Sequence, residues 1–351
     1  MSARDWIETD ETAKQYLSRV LTERPFVPLP PPIHRLPLRA GNIVEIVGPS
    51  PSAKTQILIQ ASINCILPKE WKGVHYGGLE RPVMFIDLDC RFDVLSLSGS
   101  LKQRILKANG KSMQCLKEAD AEYDKELFAE SMRRFLYIRC YDSIQFLATL
   151  KTMHHQLQMA KEAHGVGAYL MVIDSIGAFH WMDRASAFMP QGSSNRKSLS
   201  LQSVSETVVQ EIRKILLVHP MLVLSTKAVS LEDKYASNEV VRNVGKWPAQ
   251  NSLDSTSVRS RANILPFREY MPSVWQSFVS HRMLVRPSGD SDENQNQLTY
   301  ITEWLLPALK LSEKFIFNDT DRHQNQHSRY LLRDLTFAAT VLKKNLWLLH
   351  L

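Results

Sequence analysis

The chain has 351 residues, a formal net charge of +7 at pH 7 and an apolar share of 44%, values of an ordinary soluble globular protein long enough to bury a substantial core. No stretch approaches the ~18 consecutive apolar residues of a membrane-spanning helix, and the start "MSARDWIETDETAKQYL" lacks the basic start and apolar run of a signal peptide. The four cysteines, Cys65, Cys90, Cys115 and Cys140, form no CxxC pair, which argues against a zinc site and a disulfide framework.

Residues 9–23, "TDETAKQYLSRVLTE", predict a short helix. Thr9 and Asp10 can cap it, and Ala13, Tyr16, Leu17, Val20 and Leu21 form an apolar stripe that packs on the core or on a partner. "RPFVPLPPPIHRLP" then carries six prolines in 14 residues, which predicts an extended linker. From residue 42 strands alternate with helices: strand 42–48, helix 54–67, strand 82–89, helix 94–109, a polar stretch and a second helical run to about 132, strand 134–140, helix 143–165, strand 168–175, helix 199–220 and strand 221–226. Residues 227–271 have no clear period and predict a long loop. "WQSFVSHRMLVR" (275–286) reads as a strand, and "LTYITEWLL" beyond a polar turn makes an antiparallel partner at the sheet edge. The fold class is therefore α/β, a mostly parallel sheet with helices on both faces and antiparallel strands at its C-terminal edge. The division is a helix and linker (1–40), a core (41–318) and a divergent tail (319–351).

"GPSPSAKT" (48–55) lies between a buried strand and a helix, where a phosphate-binding loop belongs. In that reading Gly48, Ser50, Ser52 and Ala53 line the phosphates, Lys54 reaches the terminal ones, and Thr55 ligates Mg²⁺. "YLMVID" ends at Asp174, which either holds the magnesium through water or caps a helix. "FIDLD" ends at Asp89, where a base for an attacking water would sit.

Strand, loop and helix followed by "VMFIDLDCRFD", "LMVIDSIGAF" and "MLVLSTK" resemble the RecA superfamily core in order and spacing. With "NCILP", "IDSIGAFHWMDR" and "WQSFVSHRMLV", residues 9–318 are similar to the eukaryotic recombinase paralogues; the last 32 or so residues resemble nothing in that family. The resemblance implies a RecA-like ATPase core with ATP and Mg²⁺ as ligands. It also implies a nuclear role in homologous recombination repair of double-strand breaks and in meiosis. There the chain would be a non-filamentous subunit that helps the main recombinase on single-stranded DNA. Residues 9–40 would dock recombinase paralogue D, within the wider paralogue complex. The competing expectation is an active DNA-dependent ATPase; a small-molecule P-loop kinase is a third, without an arginine-rich lid to support it.

Four departures from the family pattern weigh against fast hydrolysis. Pro51 removes an N–H donor from the loop and Ala53 adds a methyl group where backbone should approach phosphate. One lost bond to a charged group weakens binding roughly 10- to 100-fold. Asp89 stands where a glutamate is usual, and Lys227 where a glutamine senses the terminal phosphate. The chain also has no Phe-x-x-Ala plug and no separate N-terminal helical domain of the full-length recombinases. Two loops would approach single-stranded or branched DNA. The first carries Arg184, Arg196 and Lys197, with Phe179, Trp181 and Phe188 as stacking candidates. The second, 228–270, carries Arg242, Lys246, Arg259 and Arg261; its six basic and five acidic residues leave no marked electrostatic footprint. The overall positive charge permits an acidic partner and equally a solvated lysine-rich surface.

Overall fold

The computed structural model describes residues 12–15, 18, 25–110, 124–186, 200–231, 266–288 and 298–317. Its first half runs β1 (Ile43–Gly48), α1 (Lys54–Ile66), a short hairpin of β2 (Glu70–Trp71) and β3 (Val74–His75), β4 (Val83–Asp87), α2 (Val94–Ala108), α3 (Lys125–Arg133) and β5 (Phe135–Arg139). Its second half runs α4 (Ser143–His164), β6 (Leu170–Asp174), α5 (His180–Ser186), α6 (Leu201–Val218), β7 (Leu222–Ala228), α7 (Ser273–Phe278), β8 (His281–Pro287), β9 (Leu298–Leu306) and β10 (Ser312–Phe317). Eight strands form one sheet in the order β10-β9-β8-β1-β7-β6-β4-β5. It is parallel from β8 to β5, while β8, β9 and β10 pair antiparallel at one edge.

The local chemistry accounts for the boundaries. Asp93, Asp124, Asp142 and Ser200 each accept a backbone N–H as N-caps of α2, α3, α4 and α6. Gly165 ends α4 in the left-handed region at φ +69°, which glycine adopts without strain. Strands β1, β4 and β6 are buried along their whole length, as strands covered on both faces must be. Their side chains alternate between two cores. Val44, Ile46, Phe85, Val172 and Leu224 pack with α1, α2 and α3. Ile43, Met84, Ile86, Ile173 and Val223 pack on the other face with α4, α6 and α7. This alternation decides which strand-end residues can meet the loop before α1.

Four expectations change. The proline-rich segment is not simply extended: it makes a 3₁₀ turn at Ile33–Arg35, and Phe26 bridges to Arg39. The apolar residues between its prolines fold back into the α1-side core, where Val27, Leu29, Ile33 and Leu38 are buried. Burying each is worth about 1.5–3 kcal/mol, enough to hold the segment down. "WQSF" is helical (α7) and the strand begins only at His281, because Trp275 turns inward to the core while Ser280 ties to the Ile43 carbonyl. Part of the first expected loop is helix α5, and "SEKFIF" adds the unanticipated edge strand β10. Of the predicted helix 9–23, residues 13–15 and 18 are helical; its other residues and the tail 319–351 lie outside the described residues. Among the described residues no helix is long and apolar enough to cross a membrane.

Candidate nucleotide site

The loop between β1 and α1 opens at the carboxyl end of the central parallel strands, where ligands of such sheets bind. Gly48 is fixed by packing: a Cβ there would lie 2.1 Å from the Val285 carbonyl oxygen of β8. Ser50 and Pro51 are exposed and Ser52 is half-buried. Ala53 sits at the N-cap of α1 and is buried with the α1-side core. No side chain caps α1, so its first N–H groups have no side-chain acceptor.

The Lys54 ammonium is buried and closes the loop on itself. It donates to the Gly48 carbonyl at 3.0 Å, the Pro49 carbonyl at 2.8 Å and Ser52 Oγ at 2.8 Å. Burial lowers its pKa to about 8, against the opposing pull of Asp174 and Asp89. Thr55 Oγ1 donates to Asp174 Oδ2 at 2.8 Å, and the Thr226 hydroxyl donates to Asp174 Oδ1. Asp174 therefore spends its oxygens on two threonine hydroxyls and does not cap a helix. Burial pushes its pKa up to about 6, assisted by Asp89 and Asp87 and opposed by the two hydroxyls.

Strand β4 ends at Asp87, so Asp89 lies beyond the strand and not at its tip. The residue at the tip is Asp87, in register with Asp174 on β6 and Arg139 on β5. It is fully buried; its Oδ2 accepts from Tyr137 Oη at 2.8 Å and Arg139 Nε at 3.3 Å, and its Oδ1 has no partner. Asp89 Oδ1 is also buried without a partner, and burial followed by the nearby Asp87 raises its pKa. The period-2 signal in "FIDLD" contains both carboxylates; only the strand's true end separates them.

Lys227 does not face this site. On β7, Thr226 shares a face with Leu224 and α1, so Lys227 must point to the opposite face. Its ammonium is fully buried against Glu269 at 2.7 Å and Glu45 at 3.2 Å. Sequence reasoning missed Thr226, Asp87, Glu45 and Glu269. Strand alternation could have found the first; the carboxylates on Lys227 come from far along the chain.

The oxygen donors Thr55 and Asp174 suit a hard divalent cation bound mainly by phosphate and water, as Mg²⁺ is. Among the described residues no cluster of three or more His, Cys, Asp or Glu side chains could hold a metal alone. Of the basic residues expected near DNA, Arg184 is described: it is exposed on α5, its guanidinium 5.7 Å from the centre of the exposed Trp181 ring. Phe179 packs against the α4-side core. Arg196, Lys197, Arg242, Lys246, Arg259, Arg261 and Phe188 lie outside the described residues.

The sheet order, the loop running into α1, and the Lys54, Thr55 and Asp174 constellation define a RecA-like α/β core. The chain is 52% identical over 336 residues to the DNA repair protein XRCC2 homolog of Arabidopsis thaliana, covering 90% of this chain and 89% of the relative. It is 25% identical over 281 residues to the DNA repair protein XRCC2 of Mus musculus, covering 80% and 84%. The chain belongs to the XRCC2 family of DNA repair proteins. No protein-family model matches it.

Proposed function

We propose that this chain serves homologous recombination repair and meiotic recombination in the nucleus, as a non-filamentous subunit of a recombinase-paralogue complex. Its family membership supports the repair role. The placement of Lys227 carries the adaptor reading, because it is buried against Glu45 and Glu269 on the face of β7 away from Lys54, Thr55 and Asp174. ATP with Mg²⁺ is then a modest, structural ligand held by Lys54, Thr55 and Asp174. When bound, Mg²⁺ neutralises phosphate charge; the chain's own part is to present the Thr55 hydroxyl and the ionised Asp174. Since Val27, Leu29, Ile33 and Leu38 pack within the chain, docking to recombinase paralogue D falls to the segment before them.

The test is complementation of repair-deficient cells. Lys54→Ala should restore resistance to DNA cross-linking; failure to do so, with normal protein levels, favours the DNA-dependent ATPase. Deleting residues 1–24 should abolish co-purification with the paralogue, and an unchanged pull-down counts against the docking assignment.

A further inference from the structure

The carboxyl end of β7 has two sides with different tasks. Thr226 serves the nucleotide side through Asp174, whereas Lys227 points into an ion cluster on the other. That cluster joins distant parts of the chain. Glu45 on β1 accepts from Arg282 Nε of β8 at 2.6 Å and from Trp275 Nε1 of α7 at 2.8 Å. Lys227 Nζ donates to both oxygens of Glu269, at 2.8 and 2.7 Å, and Arg282 Nη2 lies 3.4 Å from the same carboxylate. Two acids face two bases, so the buried charge is balanced.

The residues around Lys227 are the two roots of the connection between β7 and α7. On the returning root, Glu269 holds its ammonium, and the Phe267 and Tyr270 rings lie 5.4 and 5.6 Å from it. The Glu269 carboxylate also accepts the backbone N–H groups of Tyr270 and Met271, both at 3.0 Å. Burial pushes its carboxyl up, but Lys227, the Met271 amide and Arg282 outweigh that and leave its pKa lowered. On the outgoing root, the Ala228 carbonyl accepts from Tyr270 Oη at 3.1 Å, the Val229 N–H donates to Gly48, and Leu231 bridges to Phe267. The Tyr270 hydroxyl sits where Gly177 leaves room: a Cβ on Gly177 would lie 2.2 Å from it.

We infer that Glu45, Lys227, Glu269 and Arg282 form an internal latch that fixes both roots of the β7–α7 connection to the sheet. The anchoring charge comes from within the chain, on the face of β7 away from Lys54, Thr55 and Asp174. The Val229 N–H adds a separate tie from the outgoing root to the loop before α1, through the Gly48 carbonyl that Lys54 also holds.

Amide hydrogen exchange on the full chain tests the latch. In nucleotide-free wild type, amides at 228–231 and 267–275 should exchange at least tenfold more slowly than an unstructured peptide of the same sequence; rates close to that peptide overturn the proposal. The double variant Lys227→Met with Glu269→Gln keeps the Glu45–Arg282 pair and hence the charge balance. It should speed exchange at both roots at least tenfold while β4 and β6 stay as slow as wild type. Roots as slow as wild type, or an equal rise in β4 and β6, overturn it. Should the double variant not fold, the wild-type measurement stands without it.

Discussion

Replacing Asp174 with asparagine should stabilise the nucleotide-free chain at neutral pH. The Asp174 pKa is raised from its ordinary 3.8 to about 6 by burial and by neighbouring carboxylates. The folded chain therefore binds this proton more tightly than the unfolded one, so the group's contribution to stability is full below about 3.8 and lost as pH rises through about 6. The gap of about two pKa units amounts to about 3 kcal/mol against folding at pH 7.5. Asparagine removes that penalty. It keeps one oxygen for a threonine hydroxyl, and its NH₂ can donate to the other hydroxyl after that hydroxyl rotates. The weaker neutral bonds cost about 1 kcal/mol, leaving a net gain of about 2 kcal/mol. Thermal unfolding at pH 7.5 without magnesium should show Tm rising by roughly 3 °C. At pH 4.5 the wild-type carboxyl is mostly protonated and the gain should vanish. An unchanged Tm at pH 7.5, or an equal gain at both pH values, would refute the reasoning. On the binding side, the same variant should lose the extra stabilisation conferred by Mg²⁺ over ATP alone.

Nucleotide affinity in the presence of Mg²⁺ should be bell-shaped in pH, peaking near 7: Asp174 loses its charge below about 6, and Lys54 loses its charge above about 8. Calorimetric titration across this range reads it out, and a monotonic profile would sink the assignment of both residues. Gly48→Ala should destabilise the chain by about 3 kcal/mol, because its Cβ meets a backbone oxygen of β8 at 2.1 Å; a urea midpoint matching wild type contradicts the packing argument. Asp89→Glu should raise ATP turnover at least tenfold if side-chain reach limits hydrolysis, and phosphate release at the wild-type rate would show that it does not.

Local patterns carried most of the fold. The buried apolar runs marked the central strands because a parallel sheet covered on both sides demands them, and the β8–β9 antiparallel pair followed from the polar turn between two strand-like runs. The failures have specific causes. "WQSFVSHRMLVR" mixes a helical turn with a strand, and long-range bonds from Trp275 to Glu45 and from Ser280 to Ile43 separate them. The proline-rich segment was read by what proline forbids, while its fold-back depends on Ile33 and Leu38 reaching the core. At the site, Lys54, Thr55 and Asp174 were legible from motif and strand end, and the structure brings the last two to 2.8 Å. The Lys227 position was legible only as a departure. Its actual role depends on the parity of β7 and on Glu269, 42 residues away.

These placements change the weight of the arguments against fast hydrolysis. Lys227 counts more heavily than as a poor substitute for glutamine: it has left the nucleotide side and joined the loop roots on the opposite face. Asp89 has a raised pKa, which strengthens it as a base, so protonation chemistry alone does not disable it. What it lacks is the extra methylene, and reach of that order matters when reacting atoms must approach within ~3.5 Å. Against turnover there remain Pro51, which gives the loop no N–H, a short side chain at Asp89, and a β7 that ties its Lys227 away from the site. Each affects positioning or the passage of a signal, and none removes the oxygens that would hold a magnesium-bound nucleotide.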